Sequence, residues 1–226
     1  MAKNLVKGGH AVVVADAKST DLAPAGAEIA GSNGDVGERA RIVILSVPDG
    51  KASLAVARDL MASPRRKVDL VIDTSTIGIK AAREIAALLA EKGIHYVDAP
   101  VSGGIAGAEA ASLSVIIGCN LQLFERVSPI LSCLGGHLFH VGENPGMGQA
   151  VKLLNNFLSA TAMAATSEAI AFGTAEGLDM QTVLDVVNRS TGQNTASRDK
   201  FPQRIVTESY DAGFAASMMA KDVRLY

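Results

Sequence analysis

Asp16 closes HAVVVAD, an apolar run rich in β-branched residues that reads as a strand. In a dinucleotide-binding βαβ fold the second strand ends on an acidic residue that accepts hydrogen bonds from a ribose. A carboxylate there repels a 2′-phosphate, so Asp16 selects NAD in preference to NADP; Lys18, in the following AKST, keeps NADP as the alternative. Two more turns follow strand-like runs. SVPD puts Val47 and Pro48 after RIVIL, and DTSTI puts the hydroxyls of Ser75 and Thr76 after VDLVI. Doubly wound sheets bind ligands at the carboxyl ends of their strands, so Asp16, Val47, Pro48 and Thr76 form one candidate cofactor set. Taken singly, each turn reads equally well as a helix cap.

Such residues need a sheet to hold them. Val- and Ile-rich runs recur through the first 141 residues: HAVVVAD, RIVILSV, VDLVIDTS, IHYVDAP, LSVIIG and HLFHV. Helical patterns over 50–62, 79–92 and 120–134 lie between several of them, which predicts βαβ units and a parallel sheet. The runs are continuous rather than alternating, as in strands covered on both faces. After Val141 the character changes. GENPGMG is a turn, and roughly thirty residues of mostly Ala, Leu, Met and Phe follow, closed by Gly177. That predicts a helix far longer than the average of about 11–12 residues. MQTVLDVVNRST and FAASMMAKDVRLY supply further helices. The expected fold class is α/β: a Rossmann-like doubly wound parallel sheet over 1–143, joined by the long helix to an all-α domain over 144–226.

The opening MAKNLVKGGHAVVVAD reads as a helix running into a strand. A G-x-G-x-x-G fingerprint stands about 20 residues ahead of the ribose acid, and Asp16 is fifteen positions beyond Met1. The first strand and its phosphate-binding turn are therefore expected to precede Met1, and the last helix to continue beyond Tyr226.

A net charge of −2 with no basic run argues against nucleic acid or an anionic membrane as partner. No apolar stretch is long enough to span a bilayer and no secretory leader is legible, so a cytoplasmic protein is expected. Cys119 and Cys133 read as reduced thiols. His137 and His140, three apart in a strand, fall on opposite faces, which disfavours a metal site.

Three later segments are more specific. DAPVSGGIAGAEAASLSVIIGC, GENPGMGQAVKLLNN and MAKDVRL closely resemble the β-hydroxyacid dehydrogenase family, which includes 3-hydroxyisobutyrate dehydrogenases and tartronate semialdehyde reductases. The resemblance is colinear over the whole chain. It implies a homo-oligomeric enzyme that transfers a hydride between NAD(P) and a small 3-hydroxy acid or its semialdehyde. It makes Lys152 the catalytic acid/base, for which burial would bring a lysine pKa towards the working range. Asn156, one turn on and on the same face, would bind substrate or hold the ammonium. Ser102, Gly103 and Gly104 would bind the substrate carboxylate, and Lys221 would reach the cofactor. A lysine near a helix N-terminus is ordinarily a solvated charge opposed to the dipole; Lys152 instead interrupts an apolar helix.

Two details depart from the family pattern. GIK follows STI where a proline is common, and EAASLS replaces a Gly-Thr-Leu ending of the substrate loop. A second function class also stays open: a catalytically silent, cofactor-binding-deficient fragment or scaffold subunit. 6-Phosphogluconate dehydrogenase shares the scaffold but carries His-Asn where this chain has Asn155-Asn156. Which hydroxy acid is used is not legible in the spacing.

Overall fold

Hydrogen-bonded strands form where the β-branched runs were read, and two more form where they were not. The structure, a computed structural model, describes residues 1–226 apart from Leu22 and Ala212. The chain divides into two compact units, Met1–Lys152 and Leu153–Tyr226.

In the first unit, α1 (Ala2–Lys7) ends at Gly8 and leads into β1 (Val12–Val14). β1 pairs in parallel with β2 (Ala27–Ile29), and the two form a sheet of their own. A six-stranded sheet holds β3 (Ile42–Leu45), β4 (Leu70–Asp73), β5 (His95–Asp98), β6 (Val101–Ser102), β7 (Ser114–Gly118) and β8 (His137–Gly142). Its order is β3-β4-β5-β7-β6, with β8 also paired to β7. β3, β4 and β5 run parallel, as do β7 and β8. The parallel sheet expected from the sequence forms over β3–β5 and again at β7–β8; β7 departs from it by running antiparallel to both β5 and β6. The link from Ser102 to Ser114 is shorter than the dozen or more residues that a parallel crossover takes, so the chain reverses.

Helices cover both faces. α2 (Asn33–Arg39), α3 (Gly50–Ala62), α4 (Ile79–Ala90), α5 (Gly104–Ala110) and α6 (Leu121–Leu131) alternate with the strands. Ser32, Asp49 and Asn120 cap α2, α3 and α6 by accepting backbone N–H bonds from Asp35, Ala52 and Leu123. Alternate residues of β4 enter opposite cores: Val71 packs with Leu60, Ile85 and Leu89, whereas Leu70 and Ile72 pack with Val97, Ile117 and Leu131. That two-sided burial is why the strands read as unbroken apolar runs.

α7 (Met147–Ala175), 29 residues long, begins in the first unit and continues into the second. The second unit adds α8 (Met180–Val187), a π-helical segment Ala196–Ile205 and α9 (Ala216–Leu225) around a core of Ile170, Leu184, Ala196 and Phe201. Gly177, at φ +82, follows α7 in the left-handed region.

Both departures from the family pattern have a local account. Ile79 is the first residue of α4, a position that tolerates proline but does not require it. Ala111 closes α5 at φ 56, ψ 33, a left-handed conformation that costs an L-residue about 1–2 kcal/mol and glycine almost nothing. Glycine's extra unfolded-state entropy offsets part of that cost. Ala111→Gly is therefore expected to stabilise the protein by about 0.5–1 kcal/mol in urea unfolding.

Candidate active site

The turns after β3 and β4 are tied together. Thr74 donates from both N and Oγ1 to the Leu45 carbonyl, at 2.9 and 2.6 Å. Val47 N donates to Ser75 Oγ at 2.9 Å, and Ser75 N donates to Asp73 Oδ1 at 2.9 Å. Val47, Pro48 and Thr76 thus stand together at the carboxyl edge of adjacent parallel strands, the first and last half-buried and Pro48 exposed.

Asp16 lies two residues beyond β1, on the edge of the two-stranded sheet, and is exposed. Its Oδ1 accepts the amides of Lys18 at 2.8 Å and Ser19 at 3.1 Å, and these bonds hold the carboxyl below its usual range. Oδ2 makes no hydrogen bond among the described residues. An ionised carboxylate with one oxygen uncommitted can accept from a ribose hydroxyl, the chemistry that NAD would present at the end of such a strand.

The start of α7 is built around two fully buried polar side chains that the sequence reading did not single out. Asp98 Oδ1 accepts Gly146 N and its Oδ2 accepts Gln149 N, each at 2.9 Å. Burial pushes the Asp98 carboxyl up to about 6, opposed by the amides of Gly146, Gln149 and Gly148. The fit is tight. A Cβ on Gly148 would come within 2.5 Å of the Ile116 carbonyl and 2.8 Å of Asp98 Oδ2; one on Gly118 would come within 2.7 Å of Asp98 Oδ1. These glycines therefore serve the approach of α7 to the sheet.

Gln149 Oε1 accepts Ile77 N at 2.9 Å and Gly78 N at 3.1 Å, while Nε2 donates to the Ser75 carbonyl at 3.0 Å. The turn carrying Thr76 is thereby fastened to α7 three residues before Lys152. Asp73, in register with Asp98 on β4 and β5, is also buried, and burial raises its carboxyl against the hydroxyls of Ser75, Ser53 and Tyr96.

Lys152 is only 8% exposed, and Asn156 is buried too. Four residues apart on one continuous helix, they share a face. In the second unit Asn156 Nδ2 donates to Asp222 Oδ2 at 2.6 Å, and Asp222 Oδ1 lies 3.1 Å from Lys221 Nζ. Lys221 is thus ion-paired with its neighbour in sequence. Asp222, almost wholly buried, is the polar residue that the MAKDVRL segment concealed: a lone acid beside a lysine reads as a surface pair, and only its burial distinguishes it. Ser102 ends β6, half-buried, and Gly103 and Gly104 follow exposed at φ 130 and 63, conformations open to glycine.

Among the described residues no group of three His, Cys, Asp or Glu could hold a metal ion, and no helix is long and apolar enough to cross a membrane. His140 instead stacks on Phe124 at 4.7 Å and bonds the Cys119 carbonyl through Nε2 at 2.6 Å.

Residues 1–142 match the model of the NAD binding domain of 6-phosphogluconate dehydrogenase. Residues 146–226 match that of the NAD-binding domain of NADP-dependent 3-hydroxyisobutyrate dehydrogenase. The chain is 38% identical over 236 residues to 3-hydroxyisobutyrate dehydrogenase of Pseudomonas aeruginosa, covering all of this chain and 79% of that one. It is 33% identical over 234 residues to 2-(hydroxymethyl)glutarate dehydrogenase of Eubacterium barkeri, covering all of this chain and 76% of the relative. Among solved structures, Mycobacterium tuberculosis 3-hydroxyisobutyrate dehydrogenase with L-serine superposes with a TM-score of 0.89 at 32% identity, over 99% of this chain and 79% of that one.

The Asp98 cap carries a signed pH dependence. Its folded-state pKa, about 6, lies above the ordinary carboxylate value, so between roughly pH 4 and 6 the folded state binds more protons than the unfolded one. The Asp98 contribution to stability therefore falls as pH rises through that window and is level above it. In urea unfolding, the stability of wild type relative to Asp98→Asn, which does not titrate, should be greater at pH 4.5 than at pH 7.5, by on the order of 1–2 kcal/mol. A difference independent of pH would refute the assignment.

Proposed function

The chain belongs to the β-hydroxyacid dehydrogenase family, oxidoreductases that move a hydride between NAD(P) and a small hydroxy acid, and from that premise we propose that Lys152 is the proton-transfer residue and Asn156 its partner at the substrate. The observation that carries the reading is a buried lysine in the second turn of the long helix, followed on the same face by an asparagine fixed by a buried aspartate. In oxidation, the neutral Lys152 amine takes the hydroxyl proton as the carbinol carbon gives up its hydride; in reduction, the ammonium returns a proton to the developing alkoxide. NAD(P), when bound, supplies the hydride acceptor or donor. Asp222 holds Asn156 with Nδ2 donating; Oδ1 accepts from Asn155 Nδ2 at 3.2 Å and keeps a second lone pair for an ammonium or a substrate hydroxyl.

Ser102, Gly103 and Gly104 are proposed to take the substrate carboxylate through a hydroxyl and backbone amides that no Cβ shields. Asp16 would hold the ribose, and Val47, Pro48, Thr76 and Lys221 would line the remainder of the cofactor. On this reading residues 1–143 form the cofactor domain and 144–226 the helical domain. The substrate is a small 3-hydroxy acid or its semialdehyde. Met147, Val151, Leu154 and Leu158 recur along one exposed stripe of α7, and that stripe supports a homo-oligomer. Two free thiols, Cys119 and Cys133, suit the cytoplasm.

NADH fluorescence on titration with the protein tests the cofactor side of this reading, and an unchanged emission would count against it. Lys152→Met should lower turnover by about 10²–10⁴-fold while NADH affinity stays within about threefold. Near-normal turnover in that variant would remove Lys152 from the mechanism. Asp16→Ala should shift the ratio of NADP to NAD affinity by about tenfold towards NADP.

A further inference from the structure

Within the first unit, the turn Ser102–Gly104 runs directly into α5, a helix with little of its own to hold it. Its sequence is GIAGAEA, with two glycines, and the one residue that it buries is Gly107. Helices so short are marginal in water, and glycine weakens them further. α5 also ends early. In a continued helix the Ser112 amide would reach the Ala108 carbonyl, but Ala111 turns left-handed and that amide bonds Gly107 at 2.9 Å instead. The Ala108 carbonyl is taken up from far away in the chain: Asn4 Nδ2, on α1, donates to it at 2.7 Å, across 104 positions of sequence. Asn4 is the buried residue of α1. Met1 and Leu5 beside it pack on the same apolar cluster as Val101 and Ala108, at the two ends of the segment that holds the turn. A buried amide side chain is satisfied here by closing an open helix end on another element.

We propose that Asn4 is a positioning residue for the substrate: by holding the end of α5 it fixes the turn Ser102–Gly104 where the carboxylate docks. This deepens the reading above and rests on that turn taking the carboxylate. A hydroxyl and backbone amides bind an anion well only when they are aimed together, and glycines at φ 130 and 63 leave the turn many other conformations. Fixing α5 beforehand removes that freedom, so the ordering is not drawn from substrate binding. The carboxylate does not react and is held alike in the ground and transition states. Loss of Asn4 therefore falls on KM and not on kcat.

Amide exchange and steady-state kinetics with 3-hydroxypropionate, the smallest 3-hydroxy acid, compare Asn4→Ala with wild type. The Gly107 and Ser112 amides, which bond within α5 and its end, should exchange at least tenfold faster, with the interior of β4 unchanged. KM should rise at least tenfold, with kcat within threefold and NADH affinity within twofold. Asn4→Asp keeps the shape and loses the donor at pH 8. At pH 5 the buried acid takes up a proton and donates to the Ala108 carbonyl, so protection of both amides should return to that of wild type at the same pH. The proposal is overturned if Asn4→Ala leaves either the exchange or KM unchanged, or if Asn4→Asp does not recover on acidification. Ser102→Ala tells two failures apart. A KM raised in Ser102→Ala but not in Asn4→Ala removes Asn4 alone; a KM unmoved in both removes the carboxylate turn as well.

Discussion

A buried carboxylate at the end of β5 holds the first turn of the longest helix in the molecule. Asp98 accepts the amides of Gly146 and Gln149, and it can do so only because Gly118 and Gly148 let strand, helix and carboxylate come within van der Waals limits. A helix start leaves amides unpaired, and a carboxylate is the strongest acceptor for them. Burial works against that charge, as the raised Asp98 pKa records. The contact sets where α7 begins and its rotation about its own axis. Everything proposed for the chemistry follows from that rotation, since it decides which face carries Lys152 and Asn156.

Gln149 extends the constraint from the helix to the cofactor edge. Its amide bonds three backbone groups of one turn, so the turn holding Thr76 cannot move without breaking bonds inside a fully buried cluster. α7 also inverts the usual arrangement of an amphipathic helix. Its enclosed face carries Lys152, Asn156 and Ser159, while Val151, Leu154 and Leu158 lie exposed. Enclosed polar groups are costly unless partnered. Asp222 partners Asn156, and Lys200 partners Ser159.

Much of the scaffold was legible because its signals are local. The β-branched runs marked β1, β3, β4, β5, β7 and β8, and α3 was read over its observed residues, 50–62. Other elements lacked such signals. α2 is made of NGDVGER, too polar to show a face, and β2 and β6 are three and two residues long. The π-helical segment ASRDKFPQRI has no 3.6-residue repeat and contains Pro202. In the candidate site, Lys152 and Asn156 stood out by helical spacing and by resemblance. Asp98, Gln149 and Asp222 did not, because their meaning lies in contacts 48 to 74 residues away in the chain. No window of local sequence contains such a pairing.

The close fit at the start of α7 bears on what the interior can absorb. The Cα of Gly148 faces the Ile116 carbonyl and Asp98 Oδ2 with no room for a methyl group. Alanine there would have to lift the first turn of α7 from β7, since a backbone carbonyl and a buried carboxylate have nowhere to yield. Lys152 stands one turn further along the same helix and would move with it. A single added methyl would therefore be felt twice, once as lost stability and once as lost alignment.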